Sequence, residues 1–250
     1  GQGFVGKLAF PSANVSDRLE KTFTSVNFNM MIMIIYALIT IAIFGMWYYA
    51  RYEGNFLPSP KKTFNPMMLV AIVILVPGTQ FAANFIANLT GYIRPDWLQQ
   101  YNELFETSGI TDTTFVTVLY SVILAPICEE LIFRGVTMRC ARKALPFALA
   151  NLMQAALFGL FHLNWIQGIY AFALGIVLGY VCECGGSIYY SIGLHLLFNL
   201  WGTLSGFFPD PGNSVVVSVI VIAVTIVSLT AGFVLFNKGR RKLPINSTGI

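Results

Sequence analysis

Long apolar stretches alternate with short polar segments along most of the chain. A membrane-spanning helix needs about 20 mostly apolar residues, and seven stretches approach or exceed that length. The pattern therefore predicts an all-α, polytopic bundle of about seven transmembrane helices, with an eighth expected if the full-length protein extends beyond this sequence. The predicted spans are residues 28–49, 66–93, 113–143, 147–163, 165–184, 188–208 and 215–236.

These spans divide the chain into three predicted segments. Residues 1–27 mix apolar and polar positions, and we expect an amphipathic or flexible segment there. Residues 28–236 form the predicted transmembrane domain. Residues 237–250 are rich in Lys and Arg and form a basic tail.

The composition is that of a membrane protein. The 250 residues are 56% hydrophobic and 10% charged, with a mean hydropathy of +0.70, whereas a soluble domain carries about 25% charged residues. The formal net charge of +4 does not indicate a nucleic-acid partner, because the basic residues lie mostly at the ends of the predicted helices. The lipid bilayer is the expected surrounding, and nucleic acid is excluded as a partner.

The sign of the charge alternates between the polar segments. The segments after spans one, three and seven are basic. Among residues 94–112, by contrast, most of the charged side chains are acidic. Cytoplasmic segments carry the excess of Lys and Arg, so the C-terminus is predicted to be cytoplasmic. The compact chain favours a protein of the bacterial cytoplasmic membrane.

Three ionisable residues lie within six positions of the third span. Charged groups at this depth cost at least about 2.5–3.5 kcal/mol each. Glu130 and Arg134 are four residues apart, so they share a helix face and can form an ion pair. Glu129 points about 100° away and has no partner on its own helix, which makes it a candidate general base. The alternative is a packing network of all three residues without chemistry.

The fourth span carries Phe158 and His162, four residues apart on one helix face. The turn at Leu145-Pro146 folds the third and fourth spans into a hairpin. Glu129 and His162 each lie 16 residues from this turn, which is about 24 Å at about 1.5 Å per residue. We therefore expect Glu129 and His162 to face each other at one depth.

The sixth span supplies His195 and Asn199, again four residues apart. An amide donor beside a histidine is typical of an oxyanion hole, where hydrogen-bond donors stabilise the charge that develops during acyl transfer. The alternative for both residues is interhelical hydrogen bonding, a common use of polar groups in bilayers.

Three motifs in this order on successive apolar helices resemble the CPBP family of CAAX and bacteriocin-processing, Abi-type membrane proteases. This family is related to the type II CAAX prenyl proteases. The motifs are intact and read Glu129-Glu130-Leu-Ile-Phe-Arg134, Phe158-Gly-Leu-Phe-His162 and His195-Leu-Leu-Phe-Asn199. The resemblance covers a motif core of about residues 113–208.

The resemblance implies an intramembrane endopeptidase that hydrolyses a peptide bond of a membrane-associated peptide or protein. The implied substrate is a CAAX-type tail or a leader peptide. Glu129 with His162 would activate a water molecule, and His195 with Asn199 would form the oxyanion hole. The resemblance gives Glu130, Arg134 and Phe158 a structural or substrate-positioning role.

Zinc is a possible cofactor for these residues. His and carboxylate side chains are zinc ligands, so the candidate ligands are Glu129, His162 and His195. The chain lacks a His-Glu-x-x-His motif, and placing His195 in an oxyanion hole leaves too few ligands. We therefore favour a glutamate-dependent mechanism without a cofactor, with a metalloprotease as the alternative.

Two other classes of function fit part of the pattern. A non-catalytic membrane scaffold or immunity protein of the same family could keep the motifs as structure, although intact motifs favour catalysis. A proton-coupled transporter could use Glu129 and the two histidines as a relay. The sequence lacks the paired, interrupted spans in two related halves that are typical of such transporters.

Overall fold

The computed structural model describes residues 26–53, 64–108, 114–205 and 214–240. These ranges form eight helices and contain no strand. The helices are α1 (Val26–Tyr48, continued as a π-helix over Tyr49–Glu53), α2 (Pro66–Ile93), α3 (Pro95–Ser108), α4 (Phe115–Ala141), α5 (Phe147–Phe161), α6 (Trp165–Gly185), α7 (Ile188–Ser205) and α8 (Val215–Gly239).

The predicted all-α membrane bundle is confirmed. Five of the described helices, α1, α2, α4, α6 and α8, are long and apolar enough to cross a membrane. The shorter α5 is also apolar, and α7 has 18 residues. Each of the seven predicted spans coincides with one helix. Most of the predicted N-terminal segment (residues 1–25) and of the basic tail (residues 241–250) lies outside the described residues.

The acidic segment after α2 lies outside the predicted spans but is also helical, over Pro95–Ser108. Its start is fixed by Arg94, whose Nε and Nη2 atoms donate to the Asp96 carboxylate at 2.9 and 2.6 Å. These hydrogen bonds hold the pKa of Asp96 below its usual value. The Arg94 guanidinium also lies over the Trp97 ring, which stacks on Trp165 at 5.3 Å between ring centroids. The ring stack attaches α3 to the start of α6.

Helix α2 runs without a break through Pro77 because α8 completes its hydrogen bonding. The Gly78 N–H donates to the Ser228 hydroxyl at 2.9 Å, and that hydroxyl donates to the Ile74 carbonyl. The Ser228 side chain thus replaces a backbone bond between residues four apart. Polar groups inside a bilayer must be satisfied within the protein, so this contact joins α2 to α8.

Small residues bring α5 and α6 into close contact. A Cβ atom added to Gly159 would lie 2.5 Å from the Gly168 carbonyl oxygen, and one added to Gly175 would lie 3.1 Å from the Cα of Ala155. Such contacts permit close helix approach in membranes. The α5–α6 pair therefore forms a rigid wall beside α4 and α7, which carry the remaining candidate site residues.

Candidate active site

The two glutamates lie on a short α-helical stretch of α4 between two π-helical ones. The π-helical stretches are Leu119–Leu124 and Leu131–Met138, and the α-helical stretch is Ala125–Glu130. Single π-helical turns inside α-helices occur frequently at functional sites. The change in helix type sets where the two carboxylates point, and the sequence pattern had predicted one regular helix here.

Asn199 joins α7 to α4 at a gap in the α4 hydrogen bonding. The Ala125 N–H bonds to the carbonyl of Tyr120, five residues earlier. The next residue is Pro126, which has no N–H and cannot donate to Ser121 in the same register. The Nδ2 atom of Asn199 donates to the Ser121 carbonyl instead, at 2.8 Å. One N–H of the Asn199 amide therefore makes an interhelical hydrogen bond, which was the alternative to a role in an oxyanion hole.

Glu130 is the centre of a fully buried polar cluster. Its Oε1 atom accepts hydrogen bonds from Arg134 Nη1 and from His195 Nδ1, each at 2.8 Å. The predicted ion pair of Glu130 and Arg134 is thus present, with both side chains completely buried. Arg134 also donates from Nη2 to the Gly175 carbonyl at 3.2 Å, and its guanidinium lies 4.6 Å from the ring centroid of Phe158.

The bond to Glu130 defines the tautomer of His195. A carboxylate paired with arginine only accepts hydrogen bonds, so the Nδ1 atom of His195 carries a proton. In the neutral ring, Nε2 then has the lone pair. This Nε2 atom lies 3.6 Å from Oε2 of Glu129. The two groups attract each other when a proton resides on one of them.

Glu129 is the accessible member of the pair of carboxylates. Its side chain is 16% exposed, whereas that of Glu130 is completely buried. Its ion-pair neighbour among the described residues is His195 on α7. The predicted facing of Glu129 and His162 stays a prediction.

His162 lies at the end of α5 and beside Phe158. Its Nδ1 atom is 2.8 Å from the Phe158 carbonyl oxygen, which only accepts, so Nδ1 carries the proton and Nε2 has the lone pair. The Phe158 ring meets both His162 and His195 edge-on, with centroid distances of 4.9 and 5.7 Å. The next residue, Leu163, has a φ of 53°, which is uncommon for a residue other than glycine, and it turns the chain into α6.

Two amides that the sequence interpretation missed extend the cluster. Gln154 is completely buried and donates from Nε2 to Asn151 Oδ1 at 2.7 Å and to the Gly175 carbonyl at 2.8 Å. The same carbonyl accepts from Arg134. Positions 151, 154, 158 and 162 share one face of α5, so polar residues at helical spacing in an apolar span were the available signal.

The candidate metal ligands of the site are the side chains of Glu129, His162 and His195. Within the described ranges, no group of three or more His, Cys, Asp or Glu side chains could hold a metal ion. A zinc site takes four ligands, of which at least three come from the protein in catalytic sites. The described residues do not fit this requirement. The expectation about cofactors stays a prediction.

The cluster of Glu130, Arg134 and His195 is thus buried inside a helical bundle. Residues 111–201 match the family model described as Type II CAAX prenyl endopeptidase Rce1-like. The match spans all three motifs and confirms the resemblance that they predicted. No curated protein and no solved structure matched the chain. The match covers residues 111–201 of the 250, so this segment is similar to a CAAX prenyl endopeptidase domain. The five described helices that are long and apolar enough to cross a membrane indicate an integral membrane protein.

Proposed function

We propose that the protein is a glutamate-dependent intramembrane endopeptidase with Glu129 as the general base. The observation that carries the proposal is that two adjacent carboxylates, Glu129 and Glu130, lie beside the two ring nitrogens of His195. Glu130 holds Nδ1 of His195 at 2.8 Å, and Glu129 approaches Nε2 at 3.6 Å. The buried carboxylate orients the ring, and the accessible one is left for chemistry.

The proposed reaction begins with water beside Glu129. Glu129 takes a proton from this water, and the water oxygen attacks the carbonyl carbon of the scissile peptide bond. His162 accepts the second hydrogen bond of the water through its Nε2 lone pair. The tetrahedral intermediate collapses when the C–N bond breaks, and the leaving amine takes up the proton that Glu129 removed from the water and passed to Nε2 of His195. A positioned base of this kind contributes about 10²–10⁴-fold to the rate.

His195 and Asn199 stabilise the oxyanion in this scheme. When Nε2 of His195 receives the proton from Glu129, the imidazolium donates to the oxyanion through Nε2 and to Glu130 through Nδ1. Asn199 donates through its second N–H, since the first is engaged by Ser121. Removing one such donor costs about 10²–10³ in kcat.

The proposed substrate is a CAAX-type tail or a leader peptide held at the membrane. The test uses the purified chain in lipid nanodiscs with a farnesylated CAAX-type peptide and, separately, an unprenylated leader-type peptide. Product mass spectrometry is expected to show that wild type cuts one of the two peptides into two fragments and that Glu129→Ala cuts neither. Glu183→Ala is the matched control, because its carboxylate pairs with Arg142 in an exposed position. Equal cleavage by wild type and by folded Glu129→Ala contradicts the proposal.

A further inference from the structure

A cavity of about 500 Å³ lies between α5, α6 and α8. Its lining includes Asn151, the outer residue of the amide pair, but neither of the two glutamates and neither histidine. Small-molecule sites have volumes of about 300–1,000 Å³. Its wall includes the apolar side chains of Ala148, Leu152, Val177 and Phe233. Ala148 and Leu152 are exposed at the surface of the bundle, so the cavity opens toward the space that lipid occupies around a membrane protein.

One end of this cavity is polar. The Tyr180 hydroxyl donates to Asn237 Oδ1 at 2.7 Å, and both residues line the cavity. Asn237 lies in the last turn of α8, and the lining residue Phe147 is the first residue of α5. The polar end therefore coincides with one end of the bundle, where a helix leaves the apolar layer.

The same end of the bundle has an excess of positive charge. Arg142 pairs with Glu183 at 3.0 Å, and Arg240 Nη1 lies 3.9 Å from the sulfur of Cys184, which brings the turn before α5 and the end of α8 to the end of α6. Lys143 and Lys238 are exposed in the same two segments. Five basic side chains thus accompany one acidic side chain at this rim, within the described residues 139–146, 183–187 and 237–240.

We propose that this cavity binds one acyl chain of an anionic phospholipid, with the phosphate at Lys143, Lys238 and Arg240. The apolar wall suits the acyl chain, and the polar pair of Tyr180 and Asn237 suits the ester region between the chain and the headgroup. The basic rim selects anionic over zwitterionic lipid, because a basic side chain near anionic headgroups contributes about 1 kcal/mol, or about fivefold in affinity. The site does not depend on the proposed catalytic function.

The test is native mass spectrometry of the full chain in detergent, titrated with phosphatidylglycerol or with phosphatidylcholine of identical acyl chains. Wild type is expected to retain one phosphatidylglycerol with an affinity about a hundredfold above that for phosphatidylcholine, because three basic side chains contribute about fivefold each. The double variant Lys143→Gln/Lys238→Gln is expected to lose this selectivity. Ala148→Trp fills the cavity and is expected to lose the retained lipid.

Two matched controls separate the site from general effects. Ala231→Trp places the same ring on an exposed position of α8 outside the cavity, and Arg51→Gln removes an exposed charge at the end of α1. Both are expected to bind phosphatidylglycerol like wild type. If Ala148→Trp fails to fold, Leu152→Trp on the same wall takes its place. Equal retention of the two lipids by wild type, or unchanged lipid retention in the folded cavity-filling variant, overturns the proposal.

Discussion

The Nδ1 atom of His195 lies 2.8 Å from Oε1 of Glu130, a residue 65 positions earlier in the chain. The same oxygen accepts from Arg134, so one buried carboxylate joins α4 to α7 and orients the imidazole whose other nitrogen approaches Glu129. A histidine held in this way has a defined tautomer and a defined direction, as in catalytic sites where a buried acid orients the base.

Arg134→Met is expected to destabilise the protein by about 3–5 kcal/mol, because Glu130 is left as an unpaired buried charge. The double variant Glu130→Gln/Arg134→Met is expected to lose less stability than the single variant, since no charge is then stranded. Thermal unfolding in detergent measures both. Arg142→Met is the control, because its pair with Glu183 is exposed and exposed pairs contribute about 0–1 kcal/mol. Equal loss of stability in Arg134→Met and Arg142→Met would contradict this account.

Asn199→Ala is expected to lower both stability and activity, for two separable reasons. It strands the Ser121 carbonyl, which costs about 1–3 kcal/mol, and it removes the proposed oxyanion donor. Adding Pro126→Ala supplies a backbone N–H in reach of Ser121. The double variant Pro126→Ala/Asn199→Ala should therefore regain stability in thermal unfolding while kcat stays about 10²–10³-fold below wild type. Recovery of kcat in that double variant assigns Asn199 a structural role alone.

Gly179→Ala is expected to destabilise the bundle by about 1–3 kcal/mol through overpacking. Its added Cβ would overlap Asn151 Oδ1 and lie 2.7 Å from Gln154 Nε2, which disrupts the amide pair behind Arg134. Gly193→Ala on α7 is the matched control, because nothing lies within 4 Å of its added Cβ. A helical Gly→Ala change without a clash is neutral or stabilising by up to about 1 kcal/mol. Similar unfolding temperatures for the two variants would count against close packing at Gly179.

The purified protein is expected to keep its full proposed peptidase activity after treatment with a zinc chelator. The physical reason is that both ring nitrogens of His195 face carboxylates and Nδ1 of His162 faces a backbone carbonyl, which leaves too few ligands for zinc. The measurement is peptide cleavage by the chelated protein, with residual zinc determined by mass spectrometry. Loss of cleavage that only added zinc restores would establish a metalloprotease instead.

The positions of the long apolar helices followed from hydropathy, because bilayer thickness requires long apolar segments. Helix α3 was missed because its residues are mostly polar, and its attachment depends on the stacking of Trp97 on Trp165 across 68 positions. Pairwise tertiary contacts of this kind leave no periodic signal. Residue spacing along one helix did predict the ion pair of Glu130 with Arg134, which is present.

Residue spacing along the sequence did not predict the contacts between side chains on different helices of the site. We expected Glu129 and His162 to lie at one depth because we assumed a straight α-helix. Helix α4 has π-helical stretches on both sides of Glu129. These stretches change the rise and rotation per residue, so counting residues from the turn does not fix where each carboxylate points. The bond between Glu130 and His195 therefore required the folded structure.

The most direct test of the central claim compares Glu129→Gln with wild type in peptide cleavage, with folding checked by thermal unfolding in the same preparation. Glu129 is partly exposed and its contact with His195 is long, so the isosteric change should leave the unfolding temperature nearly unchanged. Cleavage is expected to fall by about 10²–10⁴-fold, the contribution of a positioned base. Cleavage at the wild-type rate by folded Glu129→Gln would contradict the assignment of Glu129 as the base.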